Sequence, residues 1–416
     1  MEQIAIIADD LTGANDTGAQ FCQHGFKTIV IIEATTIAET INLIGKDKDV
    51  WAINADTRRL TAAGAYERVY SLARTLKEAG IDRVYKKIDS TLRGHPGAEL
   101  EAVMDAWQAP LALVVPAFPA NRRVVRDGYL IIEEDPGGAA TAETPLCHIP
   151  AILQQEMQRR VGQVNLATVR RGAAALARAL ESAQKENQVL VLDAVDNSDL
   201  QVIARAIELL PREVVLAGAA GLAAHLTAAW DLKATTRTLR GKEGAVLLVA
   251  GSRNPVTAAQ VQRLAETSGC RPVEVDTGAI IAEQAESEAA RVLGAATALA
   301  AKNDVLIIAV DSLFRQPPGN NGNGGAGEAI AATLGTITSN LLATAKIKGL
   351  VVTGGDTAVH ICRTLGARGI NLAAELLPGI PLGYLEGGQA EGLPIVTKAG
   401  GFGPPDAFIK VCQHLS

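Results

Sequence analysis

Short apolar runs alternate with longer amphipathic stretches along almost the whole chain. Runs at 4–8, 28–32, 50–54, 83–87, 111–115, 189–192 and 214–217 have the length and content of buried strands. After a break, further runs stand at 245–250, 272–275, 305–310, 350–353 and 394–398. Ala-rich stretches between them, such as 62–79, 170–185 and 286–302, carry the helical pattern. This βαβα alternation predicts an α/β protein with mainly parallel sheets. The break, 229–244 (AWDLKATTRTLRGKEG), is polar, Thr-rich and basic. It predicts a linker and a boundary near residue 240. The expected domains are residues 1–235 and 241–416, two α/β lobes with an active-site cleft between them. The stretch 317–327 (PPGNNGNGGAG) reads as a flexible surface loop.

Composition narrows this picture. Aromatic residues are 3% of the 416, and hydrophobic residues 48%. The cores are therefore expected to be Ala, Val, Leu and Ile, as in helix-covered parallel sheets. A net charge of -6 argues against a nucleic-acid partner. An anionic small substrate would need local lysines and arginines. No apolar run reaches the roughly 18 residues of a membrane span, and the start lacks a leader pattern. A cytoplasmic protein with no membrane partner is expected. Five cysteines, none in a CxxC or Cys/His metal spacing, read as free thiols of a reducing compartment.

Chemistry gathers where strands end. In open parallel sheets, ligands bind beyond the carboxyl ends of the strands. The first strand ends in Asp9 and Asp10, before a helix that opens near Ala14. One acid can be a helix N-cap, but a cap does not explain two. The third strand ends in Asp56-Thr57-Arg58-Arg59, and an arginine fork suits a substrate carboxylate. The fourth runs Lys86-Lys87-Ile88-Asp89-Ser90-Thr91-Leu92-Arg93-Gly94, with Asp89 available to pair a lysine. The fifth leads into Pro116-Ala117-Phe118-Pro119-Ala120-Asn121-Arg122-Arg123, where a structural turn and a binding loop are equally good readings.

The second half repeats a different device. Three strands run into Gly251-Ser252-Arg253-Asn254-Pro255, Gly354-Gly355-Asp356-Thr357 and Gly400-Gly401-Phe402-Gly403, each before a helix. Glycines at a helix N-terminus admit a phosphate, and three in one domain predict a nucleotide cradle. No GxxxxGK[ST] is present. The formal GxGxxG at 322–327 sits in the Gly/Asn-rich loop and does not follow a strand directly.

Taken together, IADDLTGANDTG, KIDSTLRG, GSRNPVT, TGGDT and KAGGFG resemble the four-carbon acid sugar kinase family, in the right order and over nearly the entire chain. The resemblance implies an N-terminal sugar-acid-binding domain and a C-terminal ATP-binding domain. It implies ATP-dependent phosphorylation of the terminal (O4) hydroxyl, with Mg²⁺. D-Threonate is the expected substrate, with D-erythronate or a 3-oxo-tetronate as the alternative. Carried over, it places substrate contacts at Asp9, Asp10, Arg58, Lys87, Ile88, Asp89 and Ser90. It places nucleotide contacts at Ser252, Gly354, Gly355, Asp356, Thr357 and Gly401. Asp356, Asp9 and Asp10 remain alternatives for the proton acceptor, and no metal ligand is assigned. A homodimer stays an open alternative to a monomer. Two rivals remain: a sugar-acid-binding protein without chemistry, and a ligase or dehydrogenase. The stretch 133–141 (EEDPGGAAT) fits no motif.

Overall fold

A computed structural model describes residues 3–44, 47–133, 144–229, 243–314 and 324–415. The chain divides into two compact units, Met1–Ala234 and Thr235–Ser416.

The first unit contains β1 (Ile4–Ala8), β2 (Thr28–Ile31), β3 (Val50–Asn54), β4 (Arg83–Lys87) and β5 (Ala112–Val115). It continues with β6 (Arg123–Arg126), β7 (Tyr129–Ile132), β8 (Thr144–His148), β9 (Val161–Val164), β10 (Val189–Leu192) and β11 (Val215–Gly218). Eight of these strands form a parallel sheet in the order β2-β3-β1-β4-β11-β5-β10-β9. Every residue of β1 (IAIIA) is buried. That is why the strand carries no polar position: helices cover both faces of such a sheet. In-register pairing of Ala8 with Asn54 and with Lys87 lines up the carboxyl ends of β1, β3 and β4. The polar loops after these strands therefore emerge side by side.

A small antiparallel sheet, β6-β7-β8, escapes the sequence pattern. Its strands are short, and β6 reads RVVR. Asp127-Gly128 is the turn of the β6–β7 hairpin. Both residues have positive φ (51° and 74°), as a two-residue hairpin with the sheet's own twist requires.

The second unit contains β12 (Ala245–Ala250), β13 (Val273–Val275), β14 (Val305–Val310), β15 (Ile347–Thr353), β16 (Gly369–Leu377), β17 (Ile380–Glu386) and β18 (Pro394–Lys398). Strands β13-β14-β12-β15-β18 are parallel, and β17 and β16 continue antiparallel. The β16–β17 hairpin is a further addition to the expected strands. Its residues mix Asn, Glu and Gly with apolar ones, so no continuous apolar run marks it.

The expected linker lies mostly in 230–242, outside the described residues, as do 134–141 of the unassigned stretch. Of the expected surface loop 317–327, residues 317–323 also lie outside them. The rest is corrected: the helix Gly324–Thr344 begins inside that stretch. All five cysteines are free. Among the described residues no helix is long and apolar enough to cross a membrane.

Candidate functional site

In the first unit, one arginine from the loop after β3 gathers the acids that the sequence places at the ends of β1 and β4. Arg58 Nε donates to Asp9 Oδ2 at 2.6 Å, Nη1 to Asp10 Oδ2 at 2.7 Å, and Nη2 to Asp89 Oδ1 at 3.1 Å. The fork expected to hold a substrate carboxylate thus has a carboxylate of the chain on every nitrogen. Asp10 also caps the helix Leu11–Gln23, accepting from the Gly13 N–H at 2.7 Å, so cap and cluster membership coexist. Asp9 is 3% exposed, and its Oδ1 has no hydrogen-bond partner. Gly94, at φ +82°, lies 3.6 Å from both Asp9 Oδ2 and Arg58 Cα at its missing Cβ position. The left-handed backbone there favours glycine.

The two outer acids are driven in opposite directions. Burial raises the Asp10 carboxyl above its ordinary value, the neighbouring Asp9 charge adds to this, and Arg58 and Lys87 offset only part. Burial would raise Asp89 as well. Its bonds to Arg93 and Thr91 and the Arg58 charge overrule that and hold it well below the carboxylate range. Asp89 therefore stays ionised and pins its own loop.

The lysines need a correction. Asp89 pairs with Arg58 and Arg93, not with a lysine. Lys86 instead pairs with Glu99 at 2.7 Å, both nearly fully buried beneath the cluster. Glu99 lies on the helix Pro96–Trp107, and no sequence spacing points to it. Lys87 Nζ donates to the Ile88 carbonyl at 2.8 Å and lies against the first turn at Gly13. Ile88 is a buried apolar side chain, so only its backbone is offered to the loop. Ser90 is half-buried beside them.

The second unit brings its three glycine loops together. A Cβ on Gly251 would collide with Thr357 Oγ1, and one on Gly400 with Ser252 Oγ. Gly354 has φ +106°, and a Cβ added there would lie 3.4 Å from the Ser252 nitrogen. Thr357 follows it, buried, while Gly355, Asp356 and Gly401 lie on the outer side. Asp356 stands in the first turn of the helix Gly355–Thr364, where the helix dipole favours negative charge. Three residues to which the sequence assigns no role tie these loops down. Thr257 Oγ1 donates to the Gly400 carbonyl at 2.8 Å. Gln260 Nε2 reaches the carbonyls of Phe402, Gly403 and Pro404. Lys398 Nζ, 1% exposed, donates to the carbonyls of Ala399, Gly400 and Phe402 at 2.7–3.0 Å. Burial lowers its pKa to about 7. Turning carbonyls inward frees the loop's N–H groups for an anion.

These features define a two-domain α/β protein with an acid cluster in one unit and a glycine cradle in the other. Residues 4–226 match a family model described as a sugar-binding N-terminal domain, and 247–408 one described as a nucleotide-binding C-terminal domain. A D-threonate kinase of Bordetella bronchiseptica is 35% identical, covering 99% of this chain and 97% of its own. A D-erythronate kinase of Heliobacterium modesticaldum is 31% identical, covering 100% and 97%. The chain belongs to the four-carbon acid sugar kinase family. A solved Haemophilus influenzae structure shares the fold, with a TM-score of 0.71 at 23% identity over 98% of this chain and 99% of that one.

Proposed function

We propose that this chain transfers the γ-phosphoryl group of ATP to the terminal hydroxyl of a four-carbon sugar acid, with D-threonate as the preferred substrate. The observation that carries this is the Asp9–Asp10–Arg58–Asp89 cluster, built inside a domain of the sugar-binding type. A polyol needs fixed acceptors for its hydroxyls. Asp9 Oδ1, buried and unpartnered, is one such acceptor. Phosphoryl transfer also needs a group to take the hydroxyl proton, and a carboxylate of raised pKa suits that task. Asp10, whose carboxyl burial raises, is the acceptor this reading favours.

The loops at Ser252, Gly354–Thr357 and Gly401 hold the nucleotide phosphates in this reading. Mg²⁺ fits through a single residue. Among the described residues no three metal-ligating side chains cluster, and Mg²⁺ on a nucleotide needs only one or two carboxylates with phosphates and water. Asp356, exposed in the first turn beside the glycines, would hold it, and the ion would neutralise phosphate charge.

The test is ADP release by the full chain with Mg²⁺ and each four-carbon sugar acid in turn. D-Threonate should give the highest kcat/KM. A higher value with D-erythronate moves the substrate and keeps the reaction. No stimulation by any four-carbon acid ends the kinase reading.

A further inference from the structure

If Arg58 is committed to three acids of the chain, the substrate's carboxylate needs another cation. The loop after β5 supplies one. Pro119–Asn121 makes a single 3-10 turn, and Arg122, at φ +59°, reverses the chain so that Arg123 opens β6. The Phe118 and Arg123 backbones hydrogen-bond to each other and lock this reversal. Arg123 Nη1 donates to the Asn121 carbonyl. Its other edge is different. Nε is shielded from solvent with no hydrogen-bond partner, and no acceptor on the described chain takes Nη2. Asn121 Nδ2 is likewise shielded and unpartnered. Unmade donors of this kind are costly to a protein unless a ligand meets them.

Charge leads to the same place. Arg123 forms no ion pair among the described residues, and Asp89 is the acid whose field it feels. Asp89 already serves Arg58 and Arg93. Arg58, Lys87 and Arg93 act on Asp10 or Asp89, while Arg123, which has no ion pair among the described residues, feels Asp89. A cation without a paired acid suits an anionic ligand.

We infer that the free Nε/Nη2 edge of Arg123, with Asn121 Nδ2 of the same turn, binds the carboxylate of the sugar acid and sets the enzyme's preference for acids over neutral four-carbon polyols. The inference rests on the function proposed above and assigns the group that reads its anionic end. A guanidinium edge offers two parallel N–H bonds to a carboxylate, which a point charge does not.

The test compares calorimetric binding of D-threonate with that of its neutral isostere D-threonamide, on the full chain. The wild type should favour the acid by about 10- to 100-fold, the range of charge-assisted hydrogen bonds. Arg123→Gln should erase that preference while leaving threonamide affinity almost unchanged. Arg123→Lys, which keeps the charge and loses the fork, should recover only part of it. Asn121→Ala, a smaller change, should weaken the acid alone and serves if Arg123→Gln does not fold. Survival of the preference in Arg123→Gln and Asn121→Ala overturns the assignment. The outcomes separate the two readings. Arg123-dependent binding without ADP release sinks the kinase reading alone. ADP release from D-threonate that ignores Arg123→Gln sinks this assignment alone.

Discussion

Among the described residues Arg58 is the one cation in contact with Asp9, Asp10 and Asp89 together, so its loss is felt three times. Without it, two adjacent carboxylates face each other with Lys87 and Arg93 as nearby compensating charges. Removing one partner from a buried ion pair typically costs about 3–5 kcal/mol, and the cluster is partly open to water, so the lower end applies. Arg58→Ala should therefore destabilise the chain by about 3 kcal/mol in urea unfolding. Adding Asp10→Asn to Arg58→Ala should recover part of this, because it removes a charge that has lost its partner. Strictly additive losses would show that the acids do not share Arg58 energetically. The chemistry agrees with this coupling. A cluster that drives Asp10 up and Asp89 down holds two carboxylates of opposite tendency within one short network.

At the scale of elements, the loops carrying these residues are held by a clamp on the helix Pro96–Trp107. Glu156 Oε2 accepts from the Gly97 and Ala98 N–H groups, capping that helix. Its Oε1 meets His95 Nδ1 at 2.8 Å, while His95 Nε2 meets the Leu60 carbonyl at 2.8 Å. Both ring nitrogens face acceptors, so the clamp is complete only when both carry protons. The bond to Glu156 accordingly raises the His95 pKa above its ordinary 6.5. The folded value lies above the unfolded one. The stabilisation is then full below about pH 6.5 and fades as pH rises through the folded pKa. The urea midpoint gap between wild type and His95→Gln should shrink as pH rises from 5.5 to 8.5. A constant gap would mean that His95 acts as a neutral spacer. None of this clamp is visible in the sequence, because Glu156 stands 61 positions from His95. What is legible has a physical reason. Doubly covered strands such as IAIIA and VLIIAV must be continuous apolar runs, and site residues must follow them. Asp9, Asp10, Arg58 and Asp89 are found that way. Which acid meets which cation depends on tertiary packing, so Lys86–Glu99 and the Arg58 fork stay hidden. Lys398 looks like any strand-end lysine until three carbonyls close over it.

The whole molecule joins two kinds of binding machinery, and each unit's ligand should register on stability separately. A ligand that binds only the folded state adds about 2.7 kcal/mol at a hundredfold excess over Kd, worth several degrees in Tm for units of this size. In the wild type, ATP with Mg²⁺ and D-threonate should each raise Tm. Gly354→Val places a branched side chain where φ is +106° and the Ser252 N–H and Thr357 Oγ1 are already within 3.4 Å. It should abolish the ATP shift, because the cradle's backbone can no longer approach a phosphate, and leave the D-threonate shift intact. Asp9→Asn should do the reverse. It keeps the shape of the side chain but weakens the bond to Arg58 and takes away a carboxylate acceptor at the buried Oδ1. Its D-threonate shift should fall while the ATP shift persists. If either variant loses both shifts while keeping the wild-type Tm without ligand, the assignment of one ligand to each unit fails. The glycine loops and the acid cluster would then have to be read as parts of one binding event.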